Sequence, residues 1–247
     1  MRFRFTAFGL HLLGSAAALS LILGALYAGW YRWPGWYLTG AAKIALMVAG
    51  FDVVLGPLLT LVIANPRKPR RELVRDIGII VCVQIAAAGY GATTLWQGRV
   101  LYYTYSEKWL QIVQATDLDA EQIALAEKLN PNFAPHWYSL PRWVYAQMPD
   151  DPQVRERIVG GGIDVIQMPR YFRPWEAGLP RLRQDLRALD KMPEFTPPES
   201  KLLKKRMQQM GLPFDTPTAL PLMGRARPLL AVIDPATLRI RTLIAPY

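Results

Sequence analysis

Three long apolar runs fall within the first 98 of the chain's 247 residues, at positions 7–30, 38–64 and 77–96. Each is close to the ~20 residues that a helix rising ~1.5 Å per residue needs to cross ~30 Å of hydrocarbon. Backbone inside a bilayer must satisfy its own hydrogen bonds, so these runs are expected to be three transmembrane helices. The middle run carries a carboxylate, Asp52, near its centre, where a charge costs at least ~2.5 kcal/mol unless it is paired, hydrated or protonated. One turn further on stand Gly56 and Pro57. Pro57 has no N–H and crowds the preceding turn, so the helix should bend there.

The cations predict an orientation. Arg2 and Arg4 precede the first run, which is longer than a usual signal-peptide core and is followed by no small-x-small site, so it is read as an uncleaved anchor. The first loop holds Arg32 among Trp30, Tyr31, Trp33, Trp36 and Tyr37, the composition of an interfacial aromatic belt. The second loop, residues 66–76, holds Arg67, Lys68, Arg70, Arg71 and Arg75 against Glu72 and Asp76. The amino terminus and this basic loop should therefore face the cytoplasm. Three crossings then carry residues 99–247 to the far side, the periplasm in a Gram-negative cell.

The formal net charge is +10 and the pI about 9.9. Nine Lys/Arg and three Asp/Glu lie in residues 1–98, so six of the ten surplus charges sit in the membrane region, mostly at segment ends. The basic balance thus reflects a lipid bilayer as partner, and with no basic-aromatic motif no nucleic-acid partner is expected.

Counted from the cytoplasmic ends of the apolar runs, Asp52, Ser20 and Tyr90 lie at similar depths, roughly 20 Å in. Ser20 or Tyr90 could thus hydrogen-bond the carboxyl, with Gln84 lower but within reach. Three roles for Asp52 remain open from the sequence: a polar clamp between helices, a contact to a partner's transmembrane helix, or part of an ion path. One isolated carboxylate makes a poor relay. Lys43 is nine residues from Asp52, on the opposite face, and close enough to its helix end to snorkel.

Residues 99–247 have mixed charge and enough length for a core of their own. Segments 99–105 and 109–115 flank Ser106-Glu107-Lys108 as a hairpin. Asp119 caps a helix bearing Leu125 and Leu129, in line with Leu118 and ending before Pro131. Leu179, Leu182, Leu186 and Leu189 predict a short helix, and a turn at Gly160-Gly161-Gly162 should lead into a strand at 163–167. Thr196-Pro197-Pro198-Glu199 is a strong helix start. A last hairpin joins 229–233 to 238–242 through Asp234-Pro235-Ala236-Thr237. The fold class expected is a region of three transmembrane helices, residues 1–98, followed by a soluble α+β domain with small antiparallel hairpins, residues 99–247.

Catalytic chemistry is hard to find. Cys82 is the one cysteine and His11 and His136 the two histidines, which leaves no Cys/His zinc site. Asp117-Leu118-Asp119 resembles a metal-holding Asp-x-Asp pair, but the same residues open a helix and no nucleotide-binding unit surrounds them. The triple glycine lacks the Lys-Ser/Thr of a phosphate loop, and His136 has no nucleophile motif to serve. Neither a cofactor nor an enzymatic activity is expected.

Several stretches resemble the type IV pilin accessory proteins of the TfpX/TfpZ kind, related to FimB-like proteins. They are Phe51-Asp52-Val53-Val54-Leu55-Gly56-Pro57-Leu58-Leu59-Thr60 and Asn65-Pro66-Arg67-Lys68-Pro69-Arg70-Arg71-Glu72-Leu73-Val74-Arg75-Asp76. Gly162-Ile163-Asp164-Val165, Met168-Pro169-Arg170-Tyr171 and Leu230-Ala231-Val232-Ile233-Asp234 follow in the same order. The resemblance implies an inner-membrane protein that assists type IV pilus assembly or dynamics. It also implies a major pilin as partner, other pilus assembly proteins beside it, and no enzymatic activity; it carries over no catalytic residue. Asp52, with Gly56, Pro57, Ser20 and Tyr90, is the candidate intramembrane contact. Arg67, Lys68, Arg70, Arg71 and Arg75 would fix topology. A membrane-anchored periplasmic sensor and an envelope-modifying enzyme are the rival readings. The first lacks a cytoplasmic output domain, and the second has only Asp117, Asp119, Asp164 and His136 to draw on.

Overall fold

The computed structural model describes residues 2–65 and 67–246, so Pro66 of the basic loop lies outside the described residues. Two compact units emerge. One is helical and takes the chain up to Arg32 together with Gly40–Gly98. The other is globular and takes Trp33–Thr39 together with the chain from Arg99 onward.

The helical unit consists of Arg2–Tyr31, Ala41–Ile63 and Arg70–Gln97, each long and apolar enough to cross a membrane. The third helix begins seven residues before its apolar run and takes Arg70 to Asp76 into its opening turns, with Glu72 favourably placed near the positive end of the helix dipole. Around Gly56-Pro57 the chain adopts a widened turn, Gly50–Leu55, in which the Gly56 N–H donates to Phe51 O five residues back. A π-type turn thus stands just before the proline, and Asp52 lies inside it. Close packing holds the unit. A Cβ on Gly91 would stand 2.2 Å from Val48 Cγ2, so only glycine lets the middle and third helices meet there. Tyr31 donates its hydroxyl to Leu95 O at 2.6 Å, and the Trp30 and Trp96 rings meet edge-on at 4.8 Å.

The globular unit is built on one seven-stranded sheet in the order β4-β3-β1-β2-β5-β6-β7. Its strands are β1 Val100–Ser106, β2 Trp109–Gln114, β3 Arg142–Ala146, β4 Phe172–Pro174, β5 Ala219–Met223, β6 Leu229–Ile233 and β7 Ile240–Ile244. The separate antiparallel hairpins expected from sequence are merged. β1 pairs β3 in parallel and β2 pairs β5 in parallel, so the sheet is mixed. Every residue of β1 is buried, because both faces of the central strands are covered. Tyr103, Tyr105, Leu110, Leu220, Leu222 and Leu229 share one face with Leu182. Alternate residues serve the other side, Leu230 and Val232 under helix Pro197–Gln209 and Tyr102 and Val113 against Phe172 and Leu118.

Caps fall where the sequence put them. Asp119 Oδ1 accepts from the Gln122 N–H at 2.8 Å, and Glu199 Oε2 reaches back to the Thr196 N–H at 2.7 Å. Other expectations shift. Residues 163–167 form no strand but a single helical turn, Val165–Gln167, whose Ile166 N–H is capped by Asp164 at 3.2 Å. The helix at 179 stops at Asp185, after which Leu186 and Leu189 are buried by extended chain and a following turn. Leu129 is exposed, and Gln122 and Ala126 form the buried stripe of their helix instead. In the last hairpin the turn reaches Leu238, at φ +55°, and β7 starts at Ile240.

The largest departure concerns the first loop. Trp33, Trp36 and Tyr37, read as part of an aromatic belt, and Leu38 and Thr39, read as the start of the second apolar run, instead belong to the globular unit, where Gly35–Thr39 forms a short helix. Leu38 is 0 % exposed among the sheet residues. Its carbonyl accepts from the Ala226 N–H at 2.9 Å. Gly224 is needed beside it, since a Cβ there would stand 2.5 Å from Leu38 O.

Candidate functional site

Between the three long helices lies a cluster of polar side chains supplied by all of them. From the first helix, His11 approaches Thr60 Oγ1 through Nδ1 and Gln84 Oε1 through Nε2, each at 2.6 Å. From the third helix, Gln84 Nε2 donates to the main-chain carbonyl of Asp52 at 2.8 Å and, more weakly, to Ser15 Oγ at 3.4 Å. Thr60 Oγ1 also lies 3.1 Å from Gly56 O, one turn back on the middle helix. These bonds tie three separate segments through groups that would be costly to leave unpaired in hydrocarbon.

The local backbone makes the cluster reachable. A Cβ at Gly56 would stand 2.0 Å from Gln84 Nε2, so the glycine leaves room for the amide to approach. Pro57 and Gly56 are both buried on the same side of the middle helix as Thr60. Asp52 is 5 % exposed. Its Oδ1 is buried with no hydrogen-bond partner among the described residues. Beside it opens a cavity of about 270 Å³, bordered also by His11, Ser15 and Gln84.

Asp52, Gly56 and Pro57 lie in adjoining turns of the middle helix. Ser20 and Tyr90 do not join them. Both face outward, Tyr90 at 77 % exposure. His11, Ser15, Thr60 and Gln84 supply the polar neighbours. The signal that could have found them is the helix register. Ser15 lies thirteen residues after Arg2 and Gln84 fourteen after Arg70, the first residues of their helices, which puts both about 20 Å in. The first and third helices begin five and seven residues before their apolar runs, more than one turn earlier.

The basic loop is largely open. Arg67, Arg70, Arg71 and Arg75 are exposed, while Lys68 pairs with Asp76 at 2.8 Å. In the globular unit the acidic candidates have structural partners: Asp117 pairs with Arg225 and accepts from the Gln114 N–H, while Asp119 and Asp164 cap turns. His136 stacks on Tyr138 at 5.3 Å. Among the described residues no three His, Cys, Asp or Glu side chains come together as a metal site.

Comparison with known proteins gives the site a setting. The fimbrial assembly protein of serogroup I from Dichelobacter nodosus is 24% identical over 242 residues, covering 94% of this chain and 92% of its own length. The serogroup E1 protein of that organism aligns with the same identity and coverage. The protein of serogroups C1 and C2 is 29% identical over 127 residues, 51% of this chain and 97% of its own length. The chain is similar to fimbrial assembly proteins. Alignment over 94% of the chain takes in both the helical and the globular unit. No family profile matches the chain, and no solved structure matches it.

Proposed function

We propose that this chain is an inner-membrane accessory protein for type IV fimbrial biogenesis, working without catalysis by binding its cognate major pilin. One observation carries the reading. The similarity to fimbrial assembly proteins runs over nearly the full length of both partners, and so over the three long helices and the mixed-sheet unit together. Within it, the Asp52-to-Pro57 string and the basic loop favour the TfpX/TfpZ-type pilin accessory proteins.

The proposed topology has the amino terminus and the basic loop in the cytoplasm and the globular unit in the periplasm. The composition of the globular unit supports it. Residues 33–39 follow the first helix and residues from 99 follow the third, yet they form one core, which requires both to lie on one side of the bilayer. Three crossings are consistent with that parity, and the exposed arginines of residues 67–75 support a cytoplasmic placement of the other side. In this arrangement a membrane-held pilin can be met twice, by the helices through its apolar segment and by the sheet unit through its head.

Deleting the gene and counting surface fimbriae tests the role. Loss of fimbriae with the pilin level maintained, restored by the wild-type gene, is the expected result. Photo-crosslinking from Val81 and from Tyr171 in native membranes tests the contact, with capture of the major pilin expected. Normal fimbriae in the deletion strain would sink the role, and absence of pilin from both crosslinks would sink direct binding.

A further inference from the structure

The polar groups between the long helices satisfy one another with one remainder. His11 has both ring nitrogens engaged and Gln84 both ends of its amide. Asp52 Oδ1 alone in this cluster is buried with no donor among the described residues. The cavity beside it is otherwise walled mainly by aliphatic groups, Ala18, Leu19, Ile22, Val81 and Ile85. A carboxylate in such surroundings attracts a positively charged nitrogen most strongly, because little water is present to compete. The walls suit an aliphatic stem. Ile22 and Ile85 are themselves exposed on the outside of the long helices, and Gly14 and Ala18 beside them leave room for another helix to come close.

We propose that this cavity receives an ammonium group on an aliphatic stem, carried by the apolar transmembrane segment of a partner protein, and that the ammonium pairs with Asp52. The inference goes beyond the proposed function and does not depend on it: the partner is defined by its chemistry, a membrane-spanning segment that bears one lysine. The chemistry of the site stands on Asp52 and its cavity. Two contributions make such a contact selective. The aliphatic walls accept the stem, and a segment that brings only hydrocarbon would seal the Asp52 carboxyl away without a partner, either as a buried charge or at the cost of taking up a proton.

The test uses the full-length protein in phosphatidylcholine nanodiscs and a synthetic Leu/Ala transmembrane helix with one central lysine. A matched helix carries norleucine at that position. Association is read by energy transfer from the protein's tryptophans to a label on the helix. The lysine helix should associate about tenfold more tightly than the norleucine helix, the scale of one desolvated charge pair. Asp52→Asn should bring the two to parity. Ile85→Phe, which leaves Asp52 intact and fills the cavity, should do the same, so the result does not hang on one variant's folding. Equal association of both helices with the wild-type protein would overturn the proposal. So would a preference that survives both substitutions. If adding phosphatidylethanolamine abolishes the preference as fully as Asp52→Asn does, the occupant is a lipid amine and the proposal falls. The fimbrial phenotype of the deletion strain is read separately. Failure of the synthetic helix alone removes the site, and failure of the phenotype alone removes the pilus role.

Discussion

The two units of this protein bury opposite things. In the helical unit Leu10, Leu13, Leu21 and Val62 face outward, while His11, Thr60, Asp52 and Gln84 turn inward. In the globular unit Leu110, Leu220, Leu222 and Leu229 are wholly buried, and most charges stand at the surface. The reason lies in the solvent each surface suits. Apolar side chains lose nothing by facing lipid, whereas polar groups there must find partners inside the protein. Water reverses both preferences. A buried polar bond therefore means different things in the two places. Tyr105 donating to Asp185 at 2.6 Å anchors a helix onto a core already held by apolar packing. The His11–Gln84–Asp52 bonds tie the long helices to one another directionally.

The sharpest way to break this contrast is to attack apolar packing in the globular unit. Leu38→Ala should cost about 2–5 kcal/mol, measured by denaturant unfolding of the whole protein in detergent with tryptophan fluorescence. Gly224→Ala should also destabilise the unit, through its clash with Leu38 O. No loss in either variant would mean that residues 33–39 are not part of that core. Next in size comes the polar cluster. Gln84→Leu should lower the thermal stability of the helical unit by about 1–3 kcal/mol, and Gly56→Ala by less, because it displaces the amide without removing it. Ser20→Ala and Tyr90→Phe, both on outward surfaces, should stay within about 0.5 kcal/mol. Equal effects from all four would erase the distinction between inward and outward polar groups.

Alkaline pH sharpens the comparison further. Burial raises the Tyr103 phenol from its ordinary 10.0 to about 12, against a smaller opposing effect from its bond to the Gly35 main chain. Because burial disfavours the phenolate, the unfolded chain releases this proton first. Stability from Tyr103 is therefore full below pH 10 and is lost as pH rises from there through about 12. Tyr103→Phe should flatten that alkaline limb, followed by phenolate absorbance and unfolding together. A modest effect belongs to the caps. Asp119→Ala should cost about 1 kcal/mol, the usual loss when a helix N-terminus gives up its side-chain acceptor.

Different parts of this architecture were legible to different depths. The three apolar helices follow from composition, and both caps follow from local rules, since an Asp or a Thr-Pro-Pro-Glu acts on backbone within four residues of itself. The first hairpin was readable for the same reason, with Glu107 and Lys108 turning between strands that pair residue by residue. The region around 163–167 misled because Ile163, Val165 and Ile166 look like a strand, while Asp164 is equally able to cap a turn. The polar neighbours of Asp52 were not legible from depth, because apolar runs do not mark where helices begin. Arg70 through Asp76 are helical although they are polar.

By itself, the sequence determined three membrane-length helices, one misplaced carboxylate, a basic loop and a separate α+β unit, because each depends on properties summed along a single stretch of chain. Only the tertiary structure decided that seven strands join one mixed sheet, that Leu38 crosses into the globular core, and that His11 and Gln84 meet near Asp52. Those facts are pairings between residues dozens of positions apart. They are fixed by which surfaces fit and which hydrogen bonds can close, and local composition carries no record of either.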